Sequence, residues 1–215
     1  MKISYAVTVC DEFIEIQRLL AFLLEHKQPH DEIVIQMDLS VADLNSMSEA
    51  KKLVWQYIMK HNEQGHCRVI FNPLRGDFAT FKNHLTAQCT GDYIFQIDAD
   101  EYPSEDLIKH LHELLELNPE MDIFLVPRVN TVEGLTPEHI QQWGWRVNEK
   151  GWVNWPDFQW RIWRNVPEIK WINKVHERLD GFKTYTILPD VEYFALYHPK
   201  TINRQIKQNE YYETL

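Results

Sequence analysis

The chain has 215 residues, 44% of them hydrophobic and 25% charged, with a formal net charge of −10. That composition excludes a disordered chain, and so acidic a protein has no broad attraction for nucleic acid or anionic membrane, which leaves small molecules as the better-fitting substrates. Cys10, Cys67 and Cys89 are an odd set without CxxC spacing, which excludes a disulfide framework and a zinc-finger pattern and suits a reducing, cytoplasmic setting.

The first apolar run, Ile3 to Cys10, leads straight into Asp11 and Glu12, so it lacks the cleavage region of a secretory signal. No stretch approaches ~18 consecutive apolar residues, and no membrane span is expected. Ile3 to Val9 reads as a strand, and Phe13, Ile16, Leu20, Leu23 and Leu24 then fall on one helical face. Ile33 to Met37 is a second buried strand ending at Asp38, and Ser46 with Glu49 predicts a capping box for a helix through about His61. Arg68 to Phe71 is a third strand, after which Asp77 is placed to cap a helix carrying Phe78, Phe81 and Leu85.

Tyr93 to Ile97 is the fourth strand, and Asp98, Asp100 and Glu101 follow at its end. Carboxylates crowded there repel one another and are costly to desolvate unless a cation joins them, so the stretch is either a divalent metal site or a solvated acidic loop. Ser104 then caps a helix with Leu107, Leu111, Leu114 and Leu115 facing inward as far as Asn118-Pro119. Strand alternating with helix implies an α/β fold around a mostly parallel sheet. In such sheets ligands bind beyond the carboxyl ends of the strands, where Asp11, Glu12, Asp38, Asp98 and Asp100 would gather. That convergence favours a functional site over a solvated loop.

Past about residue 121 the texture changes. Asp122 to Val126 is another strand, and seven of the eight tryptophans then lie between Trp143 and Trp171. Phe158 to Trp163 alternates as a half-exposed strand, with Trp171 to Val175 as its expected neighbour. Most of these indoles are expected to build a second, smaller core, with one or two lining an acceptor groove. Thr201 to Tyr212 reads as a short polar helix.

Val7 to Glu12 after the first strand, Asp38 closing the second, Lys82-Asn83 in the third helix, and the run from Gly91 to Glu101 with its Asp-x-Asp triplet together resemble the family 2 glycosyltransferases of the GT-A fold. Trp155 to Asn165, Val175-His176-Glu177 and His198 resemble the second half of a subset of these enzymes. The resemblance implies a single domain over residues 1–215: a nucleotide-sugar-binding half at 1–103, a Trp-rich mixed α/β acceptor half at 104–199, and a C-terminal helix at 200–215. It implies transfer of a sugar from a nucleotide-sugar donor, UDP-sugar foremost, to an acceptor hydroxyl with inversion at the anomeric carbon.

By the same resemblance Asp100 would hold Mg²⁺ or Mn²⁺ at the leaving diphosphate, and Asp98 would hold the ribose or a metal-bound water. Asp11, Glu12, Asp38, Lys82, Asn83 and Arg161 would bind the nucleotide sugar, and His176 or His198 would supply a third metal ligand. Asp157 would be the general base, its pKa raised by aromatic neighbours, with Glu177 as the alternative. Arg161 and Arg164 alternate about Ile162, so that one reaches a phosphate while the other packs on tryptophan. The Glu-Asp pair that serves many family members as base has no counterpart here.

Neither GxGxxG nor GxxxxGK[ST] occurs, which disfavours dinucleotide and P-loop enzymes, and Cys10-Asp11-Glu12 stands where a nucleotidyltransferase carries a Gly-rich loop. A non-catalytic carbohydrate-binding protein is the rival from another class. An acceptor that is a modified nucleic-acid base would need a local basic groove, such as one near Lys200, Arg204 and Lys207.

Overall fold

The computed structural model describes residues 1–40, 43 and 45–212. Of the expected C-terminal helix, residues 213–215 therefore lie outside the described residues. Three strand-helix units come first: β1 (Ile3–Val9) and α1 (Phe13–His26), β2 (Glu32–Asp38) and α2 (Glu49–Glu63), β3 (Arg68–Asn72) and α3 (Phe78–Thr86). β4 (Tyr93–Asp98), the two-residue β5 (Tyr102–Pro103) and α4 (Glu105–Leu117) follow. The later part comprises β6 (Ile123–Glu133), α5 (Pro137–Trp143), β7 (Val153–Arg164), β8 (Lys170–Ile172), β9 (Arg178–Asp180), β10 (Tyr185–Ile187), β11 (Leu196–Thr201) and α6 (Ile202–Tyr212).

Nine strands form one sheet in the order β3-β2-β1-β4-β7-β6-β11-β5, with β10 also pairing β6. Pairing is parallel between β1 and β2, β1 and β4, β2 and β3, β6 and β10, and β6 and β11. It is antiparallel where β7 joins β4 to β6 and where β5 meets β11. Period-two alternation divides the interior between the two faces: Ile3, Tyr5, Val7 and Val9 belong to one cluster and Ala6 to the other. Burial on both faces explains why β1, β2 and β4 read as continuous apolar runs.

Asp77 and Ser104 cap their helices as expected, accepting from Thr80 N and Leu107 N. Ser46 does not cap α2. Ser48 does, accepting from Lys51 N, while the Ser46 hydroxyl donates to Asp43 O within the preceding turn. β7 is partly buried over Phe158, Gln159 and Trp160, but in place of the expected alternation it buries Arg161, Ile162 and Trp163 in succession where it runs between β4 and β6. Its expected neighbour instead makes a separate two-stranded sheet, β8 with β9, and touches β7 through an edge-on Trp163–Trp171 ring contact. Trp163 and Trp171 build the second core and Trp160 packs against it, but Trp143 pairs with Trp145 and Trp152 with Trp155 outside both clusters. Core therefore accounts for fewer of the indoles than the sequence suggested.

Candidate active site

A cavity of about 1080 Å³ opens beyond the carboxyl ends of β1, β2 and β4, and Asp11, Glu12, Asp38, Asp98 and Asp100 all line it. Parallel pairing puts them there, since strands running the same way end on the same side. Register sets the detail: Thr8 faces Asp98 across β1 and β4, and its hydroxyl donates to Asp98 Oδ1 at 2.6 Å. Asp38 accepts from Leu74 N at 2.9 Å, from Lys51 Nζ and from the Cys10 thiol. Burial pushes that thiol up to about 12, so Cys10 is a neutral donor. Glu12 folds back, its Oε2 accepting from Cys10 N and Asp11 N while Oε1 meets Arg204 at 2.9 Å.

Behind these acids runs a buried chain of alternating charge. Arg161 donates to Asp98 at 3.0 Å and, through Nε and Nη2, to both oxygens of Glu101. Arg128 donates to Glu101 at 2.7 Å and to Asp157 Oδ2 at 2.7 and 2.9 Å. Glu101 is wholly buried; burial alone would raise its pKa, but Arg161 and Arg128 outweigh it and hold the carboxyl well below the usual range. Asp98 is likewise held down by Lys82 and Arg161 against its own burial. Sequence reasoning missed Arg128 and the structural work of Glu101. The available signal was an arginine in the otherwise apolar run Ile123 to Val129.

Asp157 is in the cavity wall, but its environment is the reverse of that expected. Burial favours the neutral acid, yet Arg128, Asn130 and Gln159 together hold the carboxyl below its ordinary value. Cationic and amide donors, and not the neighbouring indoles, dominate this carboxylate. Oδ2 carries three of the contacts, two from Arg128 and one from Asn130 at 2.8 Å, whereas Oδ1 accepts, among the described residues, only from Gln159.

The Asp100 side chain is only 16% exposed. His198 Nε2 lies 3.3 Å from Asp100 Oδ2, Arg204 Nη2 3.7 Å and Lys200 Nζ 3.9 Å. Burial opposes ionisation, but these groups hold the Asp100 carboxyl well below the usual range. Lys200 and Arg204 come from the end of β11 and the start of α6, so the C-terminal helix closes one side of the cavity and its cations face the triplet. Lys200, Arg204 and Lys207 line the cavity, but Lys200 faces Asp100 and Arg204 faces Glu12, Glu15 and Asp100, so two of these three cations are offset by acids.

Asp100 and His198 form a carboxylate-imidazole pair that fits a divalent ion. Among the described residues, the set of three candidate ligands that closes on one point is His30, Asp31 and His112, so neither Asp98 nor His176 completes a triad with this pair. That other set is spoken for: Asp31 already accepts from Ile3 N at 2.8 Å, Gln28 N at 3.2 Å and His112 at 2.9 Å. His176 lines the cavity with a left-handed φ of 52°, and Glu177 accepts from Lys82 Nζ at 2.6 Å. Lys82 also reaches Asp98 at 3.5 Å. Asn83 is used elsewhere, exchanging hydrogen bonds with both backbone groups of Trp171. Arg164 lies over Tyr93 and pairs with Asp122.

A mostly parallel sheet flanked by helices, with acidic strand ends around such a cavity, is the GT-A fold. The chain belongs to family 2: the model described as Glycosyl transferase family 2 matches residues 4–200. Among solved structures, S. aureus TarS 1-349 is 16% identical with a TM-score of 0.60, over 93% of this chain and 60% of that one. The same fragment in complex with UDP-GlcNAc is 17% identical with a TM-score of 0.60, over 93% and 59%. A longer TarS structure is 15% identical with a TM-score of 0.58, over 93% and 37%. At these identities the likeness is one of fold, and the chain spans about 60% of the TarS fragment's length. Curated protein sequences contain no match. No described helix is long and apolar enough to cross a membrane.

Proposed function

We propose that this enzyme moves a sugar from a nucleoside-diphosphate sugar to an acceptor hydroxyl with inversion, using one divalent ion held by Asp100 and His198. The observation that carries the proposal is the make-up of one cavity: Asp11, Asp38, Asp98 and Asp157 line it together with the Asp100–His198 pair. TarS bound to UDP-GlcNAc and to UDP shares the fold, which makes a UDP-sugar the first donor to test.

Asp11 and Asp38 accept hydrogen bonds from the base and ribose, and Lys82 keeps the donor side neutral by pairing with Glu177 and Asp98. Asp98, largely engaged by Thr8, Lys82 and Arg161, offers its remaining lone pairs to the ribose or a metal-bound water. A bound Mn²⁺ or Mg²⁺ supplies Lewis-acid stabilisation of the departing diphosphate, and the mixed oxygen-nitrogen pair suits Mn²⁺ better. Asp157, ionised at neutral pH, takes the acceptor proton at Oδ1, the atom with one donor, while Arg128 fixes the carboxylate through Oδ2. Glu177 is the weaker base because Lys82 ties it to the donor side. Trp145 and Trp160 line the same cavity and offer flat faces to a sugar acceptor.

A thermal-shift screen of UDP-, GDP-, dTDP- and CMP-sugars with and without Mn²⁺ tests the donor and the metal together, since a ligand of the native state raises Tm by mass action. A Mn²⁺-dependent response to a UDP-sugar is expected. Glycan binding that survives Asp100→Ala, with no nucleotide released from any donor, would instead establish a carbohydrate-binding protein.

A further inference from the structure

The metal-holding role of His198 depends on which ring nitrogen carries its proton, and the hydrogen bonds around it decide that question. Asn130 Nδ2 lies 2.8 Å from Asp157 Oδ2, and Asn130 Oδ1 lies 2.7 Å from His198 Nδ1. An ionised carboxylate accepts only, so the amide nitrogen of Asn130 must face Asp157 and its carbonyl oxygen must face the imidazole. That oxygen also only accepts, so His198 must donate from Nδ1. In the neutral ring Nε2 then carries a lone pair, directed at Asp100 Oδ2 across 3.3 Å. Two acceptors at that separation repel until a cation joins them, either a second ring proton, which lets His198 hold the Asp100 carboxyl down, or a metal ion in its place.

Left to itself the imidazole would choose the opposite tautomer, since a proton on Nε2 would bind the carboxylate directly and leave no room for an ion. The fold opposes that choice. Asn130 and His198 are neighbours across the parallel β6–β11 pair, and Arg128 faces Asp157 across β6 and β7. Arg128 and Asn130 both donate to Asp157 Oδ2, beside a register shift in the β6–β7 pairing.

We propose that Asn130 is a positioning residue which, oriented by Asp157, holds His198 in the Nδ1–H tautomer so that Nε2 and Asp100 together present an ion site. This inference rests on the proposed role of Asp100 and His198. It adds that the acceptor side and the metal side of the cavity are joined by one amide, and so the orientation of the metal ligand is set from the base.

The test combines ¹⁵N-histidine NMR of the metal-free protein with Mn²⁺ affinity, measured by electron paramagnetic resonance in the presence of UDP. Wild type is expected to show His198 as the Nδ1–H tautomer, and Asn130→Leu to move it to Nε2–H and weaken Mn²⁺ binding roughly 10–100-fold. Asn130→Asp separates positioning from packing: it keeps an acceptor for Nδ1–H but faces Asp157 with like charge. Its Mn²⁺ affinity is expected to stay within about threefold of wild type while kcat falls at unchanged donor KM. An Nε2–H tautomer in wild type overturns the inference, as does equal weakening of Mn²⁺ binding by Asp and Leu. Mn²⁺ binding indifferent to Asn130→Leu overturns this inference alone, whereas no Mn²⁺ binding by wild type overturns the metal proposal with it. Circular dichroism confirms that each variant is folded.

Discussion

Replacing Glu101 by glutamine isolates the buried charge chain from packing, because the two side chains have nearly the same volume. Glu101 is fully buried and accepts from Arg161 at 3.0 and 2.8 Å and from Arg128 at 2.7 Å. Removing its charge leaves two enclosed guanidinium groups short of a counter-ion and turns an amide NH₂ toward one of their donors. Breaking a buried pair from one side costs ~3–5 kcal/mol, against a total stability of ~5–15 kcal/mol for a typical domain. For a chain of this length the loss corresponds to a Tm lower by ~6–20 °C.

Urea unfolding followed by tryptophan fluorescence measures the loss directly as a lower midpoint at unchanged slope. Glu105→Gln is the control: Glu105 pairs with Lys109 on the exposed face of α4, and its loss should leave the urea midpoint nearly unchanged. The pH dependence supplies an internal check. The folded pKa of Glu101 lies below its ordinary value of 4.5, so the carboxylate's contribution is complete above 4.5 and declines as the pH falls toward the folded pKa. The difference between wild type and Glu101→Gln should therefore shrink on acidification. A variant within ~1 kcal/mol of wild type at neutral pH, or a difference that grows in acid, would refute the assignment of Glu101 as the counter-ion of both arginines.

Asp100→Ala should abolish the Mn²⁺-dependent thermal shift by a UDP-sugar, and Lys200 and Arg204, released from it, should leave a metal-independent response to UDP alone; calorimetry with and without a chelator separates the two. Glu32 is held down to about 2 despite burial, by the Ser4 hydroxyl and by Thr90, so its contribution is complete above 4.5 and disappears as the pH falls through about 2. Glu32→Gln should therefore flatten the acid limb of a stability-against-pH curve between those values. Gly91→Ala would set a Cβ 2.6 Å from Ser4 N and 2.9 Å from Ile3 C, backbone that cannot yield without moving β1. Overpacking of that kind costs ~1–3 kcal/mol, read as a lowered urea midpoint, and a neutral substitution would show that β1 and the Gly91 turn give way.

Much of the acidic end of the sheet was legible in the chain itself. Apolar runs closed by Asp38 and by Asp98-Ala99-Asp100, alternating with helices capped by Asp77 and Ser104, are enough to place acids at the ends of parallel strands, because parallel pairing admits little else. The cavity wall built from β6, β7 and β11 was not legible in the same way. Asp157, Arg128, Asn130 and His198 come from three strands whose pairing no local pattern announces, and the expected partner of β7 turned out to belong to another sheet. The sign of the shift at Asp157 was misjudged for the same reason. Neighbours in sequence are aromatic, but the neighbours that set its charge arrive across the sheet from β6.

The sequence by itself determined the α/β class, the acidic strand ends and the Asp-x-Asp triplet, since periodicity and capping are local properties. Only the tertiary structure decided that Asp98 and Glu101 are neutralised by arginines, that Asp100 meets His198, and that one asparagine links His198 to Asp157. Those are long-range pairings between residues tens of positions apart, governed by strand order and register.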